Sequence, residues 1–155
     1  DERGVGSQAS DETVAYTVKG RLIDEPSIAA RSMNVFCYLG RVFVVGYADS
    51  DAERDLVRTI ASQVEGVVAV EVYLPMRSHE TGVGESVGDA AITTQVRGKI
   101  IADASLRSTQ FDIVTLNGRV VLLGVVGSET TRSQALRHAH EVEGVKGVKS
   151  FLIVR

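Results

Sequence analysis

The sequence predicts an α+β protein built from two copies of one small unit. Each copy is expected to run αββαβ, with two helices packed on a three-stranded mixed sheet. Three observations predict this. The stretch "GRVFVVG" at Gly40–Gly46 returns as "GRVVLLG" at Gly118–Gly124, an offset of 78 residues (118 − 40). That offset holds without a gap from Asp11 on Asp89 to Arg77 on Arg155, and 19 of the 67 aligned pairs are identical, which marks an internal duplication. Within each copy the apolar spacing changes from the helical to the strand period and back again.

Each element follows from its own stretch of sequence. In "DETVAYTVKGRLIDE", Val14, Val18 and Leu22 recur every fourth residue, so one stripe of a helix is apolar and Asp11 is its expected N-cap. Ile92, Val96 and Ile100 repeat the stripe behind Asp89. Gly20 and Gly98 interrupt both helices at about 1 kcal/mol each relative to alanine, and close helix packing is the expected reason. Two β-rich runs then flank Asn117-Gly118, a pair suited to the two positive φ angles of a type I′ hairpin turn. The first copy has Leu39-Gly40 at the same place. Gly46 and Gly124 close the returning strands, where a bulge or a close backbone approach favours glycine. The second helices start at Ser50 and Ser128, carry early acids, and stop before Gly66 and Gly144. "VVAVEVYLPM" and "VKGVKSFLIV" supply the last strands. Residues 1–10 are expected to form a flexible N-terminal segment, 11–77 the first domain, 78–88 a linker and 89–155 the second domain.

Composition narrows the function. With 44% apolar and 24% charged residues the chain has ordinary globular usage, and with no Trp its core must rest on Val, Ile, Leu and Ala. No apolar run approaches the roughly 18 residues needed to span a bilayer. The opening "DERGVGSQASDE" reads as neither a signal nor a transit peptide, which leaves a cytosolic protein or one whose export segment precedes this sequence. Cys37 stands alone, so it forms no intramolecular disulfide and is expected to be a buried, inert thiol. Net charge is −3, an acidic balance that argues against nucleic acid as a partner. The two copies differ, however. Residues 11–77 hold 7 basic and 10 acidic side chains, whereas 89–155 hold 9 and 6, so the balances are −3 and +3. A basic domain on an acidic protein suits an anionic surface.

Nothing sets out an active site, a cofactor site or a metal site. His138 and His140 lie two apart on a helix, point to different sides and are expected to be solvated or at an edge, while His79 falls in the linker. "GVGESVG" at Gly82–Gly88 lacks dinucleotide spacing and reads as a flexible linker. No motif orders a nucleophile, a base and oxyanion donors. The hairpins carry a different signal. Ile113, Thr115, Val120 and Leu122 share the face expected under the helices, yet the opposite face shows Val114, Leu116, Val121, Leu123 and Val125. In the first copy that face shows Phe36, Tyr38, Phe43, Val45 and Tyr47. A sheet with one wet face would alternate with polar residues, so these ten residues are an expected interface. The other copy, a partner protein or a lipid tail would cover it.

The pattern V-x-x-x-G-x-V-x-L-x-G-x-V followed by V-x-G-V-x-x-V resembles the BON domain. It fits Val35–Gly46 with Val64–Val70, and Ile113–Gly124 with Val142–Val148, so the resemblance covers Asp11–Arg155. "DERGVGSQASDE" and "GVGESVGDAAITTQVRGKII" look closer still to the dual-BON outer-membrane lipoproteins of the DolP type. The resemblance implies a non-enzymatic periplasmic protein that is tied to the outer membrane by an N-terminal lipid and supports its integrity. It implies that the first helix of the second copy binds anionic phospholipid, through Ala91, Ile92, Thr94, Gln95, Arg97, Gly98, Lys99 and Ile101. Family members can place a tryptophan where this chain has Ala91. Envelope proteins are further expected partners. The alternative is a soluble, OsmY-like periplasmic stress protein or adaptor that binds proteins through the apolar sheet faces.

Overall fold

A computed structural model describes residues 10–77 and 87–155. The expected N-terminal segment up to residue 9 and the linker residues 78–86, His79 among them, lie outside this range. The chain divides into two compact units, one per copy, as expected for a duplication.

In the first unit, α1 (Asp11–Asp24) precedes the hairpin β1 (Met33–Tyr38) and β2 (Arg41–Gly46), then α2 (Asp51–Ser62) and β3 (Ala69–Tyr73). A short 3₁₀ turn at Ala30–Ser32 leads into β1. β1 and β2 are antiparallel, with Phe36 opposite Phe43 and Cys37 opposite Val42. β3 lies parallel to β2, as the intervening helix requires. The second unit repeats this with α3 (Val87–Ala102), β4 (Asp112–Leu116), β5 (Arg119–Val126), α4 (Glu129–His140) and β6 (Gly147–Val154). The sheet orders are β1-β2-β3 and β4-β5-β6. α3 begins at Val87, so Gly88 is helical.

The apolar stripes do what their spacing predicts. Val14, Val18 and Leu22 pack with Val42, Val44, Val57 and Ala61 in one core. Ile92, Val96 and Ile100 pack with Ile113, Val120, Leu122, Ala135 and Ala139 in the other. Each such Val, Leu or Ile side chain contributes about 1.5–3 kcal/mol when fully removed from water. Both central strands are buried along their length, from Val42 to Gly46 and from Val120 to Gly124.

Local chemistry mostly matches expectation. Ser50 and Ser128 cap their helices, accepting from the N–H of Glu53 at 3.0 Å and of Thr131 at 3.1 Å. Asn117 and Gly118 both take positive φ (52° and 84°), and Leu39 and Gly40 adopt the same turn (55° and 79°). A Cβ on Gly46 would lie 2.0 Å from the Ser32 carbonyl oxygen, so close backbone approach excludes every other residue there. Three expectations are corrected. Ser10, not Asp11, caps α1, because its Oγ accepts from the Thr13 N–H at 3.1 Å and leaves Asp11 in the first turn. Asp89 likewise lies inside α3. Helix packing does not explain Gly20 and Gly98, since a Cβ at either would meet nothing within 4 Å outside its own helix.

Candidate functional site

The helix α3 offers one face to the core and the other to solvent. Ile92, Val96 and Ile100 are buried, while Ala91, Thr94, Gln95, Gly98 and Ile101 are exposed. At about 100° per residue these five form a low ridge of small and polar side chains that ends in Ile101, which is 61% exposed. Arg97 and Lys99 stand on opposite flanks of the ridge and both are exposed. Seven of the eight expected lipid-binding residues therefore lie on one accessible surface. Ile92 does not: it is only 8% exposed, belongs to the core and supports the helix from beneath.

The two cations differ in their surroundings. Lys99 Nζ lies 3.5 Å from Glu141 Oε1 on α4, and both side chains are about half exposed. Such a surface pair is worth about 0–1 kcal/mol and yields readily to a stronger anion. Arg97 has no ion-pair partner among the described residues.

Three polar clasps hold α3 in place. The Asp89 carboxylate reaches across 28 and 29 residues to the hairpin turn, where Oδ2 accepts from the Asn117 N–H at 2.7 Å and Oδ1 from the Gly118 N–H at 2.8 Å. Asp11 makes the same clasp with Leu39 and Gly40, at 2.7 and 2.9 Å. Thr93 and Thr115 hydroxyls meet at 2.7 Å beneath the helix. Beyond its C-terminus, Asp103 Oδ2 lies 2.8 Å from His138 Nε2. The His138 hydrogen bond, helped by the Ser105 hydroxyl and N–H, holds the Asp103 carboxyl down to about 2. His138 is thus partly buried and bonded to Asp103, whereas His140 is exposed.

The ten expected interface residues lie on the sheet faces turned away from the helices. Register places Phe36 beside Phe43 and Val114 beside Val121, out of step with the core-facing Cys37–Val42 and Ile113–Leu122 pairs. Cys37 is buried, its thiol donates towards Asp11 Oδ1 at 3.5 Å, and burial first, then Asp11, pushes its pKa up to about 12. Among the described residues no cluster of three or more His, Cys, Asp or Glu could hold a metal, and no helix is long and apolar enough to cross a membrane.

Known proteins resemble the chain over nearly its whole length. The 21 kDa hemolysin of Actinobacillus pleuropneumoniae is 31% identical over 99% of this chain and 77% of its own. The outer membrane lipoprotein DolP of Haemophilus influenzae is 32% identical over 99% and 78%. The osmotically-inducible protein Y of Escherichia coli is 32% identical over 96% and 74%. The BON domain matches twice, at residues 10–75 and 88–155, so the chain, with its repeated αββαβ unit and paired hairpin glycines, belongs to the BON-domain family as a tandem pair.

Proposed function

We propose that this chain is a non-enzymatic periplasmic protein of the cell envelope that binds anionic phospholipid through α3 and so supports outer-membrane integrity. The observation that carries the reading is the exposed face of α3, where Arg97 and Lys99 flank a ridge low enough for headgroups to approach and Ile101 remains uncovered. The +3 balance of residues 89–155 favours the same end of the molecule. The name of the DolP relative, an outer membrane lipoprotein, supports a location at that membrane through an N-terminal lipid.

Each basic side chain near an anionic membrane contributes about 1 kcal/mol. Charge reversal at both positions, Arg97→Glu with Lys99→Glu, is therefore expected to weaken binding to phosphatidylglycerol vesicles by about thirtyfold or more. Vesicle flotation at low and high salt measures this, since salt screens the attraction. Unchanged binding by the doubly reversed protein would refute the assignment of α3.

The apolar outer sheet faces favour a second reading, in which the protein acts as a soluble periplasmic adaptor that binds other proteins. In that case the half-buried Phe36, Tyr38, Val114 and Val125 serve a protein interface, and pull-down of envelope proteins would be lost with Val114→Lys while the α3 charge reversals leave it intact.

A further inference from the structure

The first unit carries a cleft that none of the relatives' descriptions accounts for. It lies between the C-terminal half of α1 and the turn before β1, has a volume of about 650 Å³, and is lined by Lys19, Ile23, Ile28, Ala29, Ala30 and Arg31. That size and mostly apolar wall are typical of a small-molecule site. Among the described residues, two cations and no acid line it. Lys19 Nζ donates to the carbonyl oxygens of Ala30 and Met33, which uses two of its three N–H donors and holds it at the wall. Burial lowers its pKa, so an anion beside it would relieve the cost of keeping it charged. Arg31 is exposed and has no ion pair among the described residues. Ile23, at the opening, is 61% exposed, an apolar group left uncovered. The second copy keeps a cation and an exposed isoleucine at the positions of Lys19 and Ile23, as Arg97 and Ile101, but not the small wall or Arg31. Shifted by 78 residues, Ala29, Ala30 and Arg31 become Arg107, Ser108 and Thr109, which replace a small wall residue by a long cation and leave no cation at the position of Arg31.

We infer that this cleft binds a single anionic lipid with one acyl chain, the chain against Ile23, Ile28, Ala29 and Ala30 and the head at Lys19 and Arg31. Charge complementarity selects the head, and the apolar wall selects the chain. This site is separate from α3 and does not depend on the function proposed above.

The test is ¹⁵N–¹H shift mapping of the full chain with dodecanoate and with dodecylphosphocholine, both below their micelle concentrations. Saturable shifts confined to residues 19–31, with tighter binding of dodecanoate, are expected. Arg31→Gln should weaken dodecanoate binding about fivefold, and Ala29→Leu should abolish it by filling the cleft. Arg97→Glu should leave it unchanged. The Arg31 side chain is exposed and makes no hydrogen bond or ion pair among the described residues, so its variant remains informative if Ala29→Leu misfolds. The absence of shifts at 19–31, equal affinity for the two amphiphiles, or undiminished binding by Arg31→Gln would each overturn the inference.

Discussion

Replacing Asp89 by alanine removes the clasp between α3 and the hairpin turn of the second unit. Two backbone N–H groups, on Asn117 and Gly118, would lose a carboxylate that they reach at 2.7 and 2.8 Å. The carboxylate is 4% exposed, so water does not readily substitute for it. Hydrogen bonds to a charged group contribute about 1.5–3 kcal/mol each, and two of them place the expected loss at about 3–6 kcal/mol. For a unit of this size that corresponds to a fall in Tm of well over 10 °C. Asp89→Asn restores one acceptor but turns its NH₂ towards the second N–H, so it should recover less than half of the loss. Asp11→Ala breaks the same clasp in the first unit. Its cost should be smaller, because Asp11 is only partly buried and the Leu39 N–H bond is exposed. The assay is urea unfolding followed by amide resonances of each unit separately, since two units need not unfold together. A loss below about 1 kcal/mol for Asp89→Ala, or a larger loss for Asp11→Ala, would refute the argument that burial sets the strength of the clasp.

Gly20→Ala and Gly98→Ala should each stabilise their unit by about 0.5–1 kcal/mol in thermal unfolding, since the helix gains propensity and the methyl group enters open space. Leu39→Asn should add about 1 kcal/mol to the first unit, because Leu39 sits at φ 55°, a left-handed conformation that asparagine tolerates better. Glu141→Gln should tighten binding to phosphatidylglycerol vesicles by about two- to fivefold in flotation, because it frees Lys99 from its 3.5 Å partner. The Asp103 carboxyl is held at about 2 against an ordinary 3.8, so its stabilising effect is fully present above the ordinary value and is lost as pH falls through about 2. The stability difference between the native chain and Asp103→Asn should therefore be present at pH 5 and vanish near pH 2, as acid titration of the side-chain carboxyl carbon and of unfolding would measure.

Much of the fold was legible because its signals are local. A stripe at every fourth residue, serine before acids, and Asn-Gly between β-rich runs each report on neighbours within one or two turns of chain. The 78-residue offset then let each copy support the other, so Leu39-Gly40 could be read as a turn despite its poorer sequence. The candidate surface on α3 was legible in part: periodicity alone distinguishes Arg97 and Lys99 from Val96 and Ile100. Ile92 illustrates the limit, since the family resemblance assigned it to lipid while its place in the apolar stripe assigned it to the core, and the core claims it.

By itself, the sequence determined the order of elements, the duplication, the charge difference between the copies and the family. Only the tertiary structure decided which groups satisfy one another across the fold. Asp11 and Asp89 look like caps because aspartate beside a helix start usually is one, yet their carboxylates serve turns 28 and 29 residues away. The Asp103–His138 and Lys99–Glu141 pairs and the Lys19 cleft likewise join residues with no periodic relation. Hydrogen bonds and desolvation act over a few ångströms of space, and distance along the chain carries no trace of them until the two helices have packed onto the sheet.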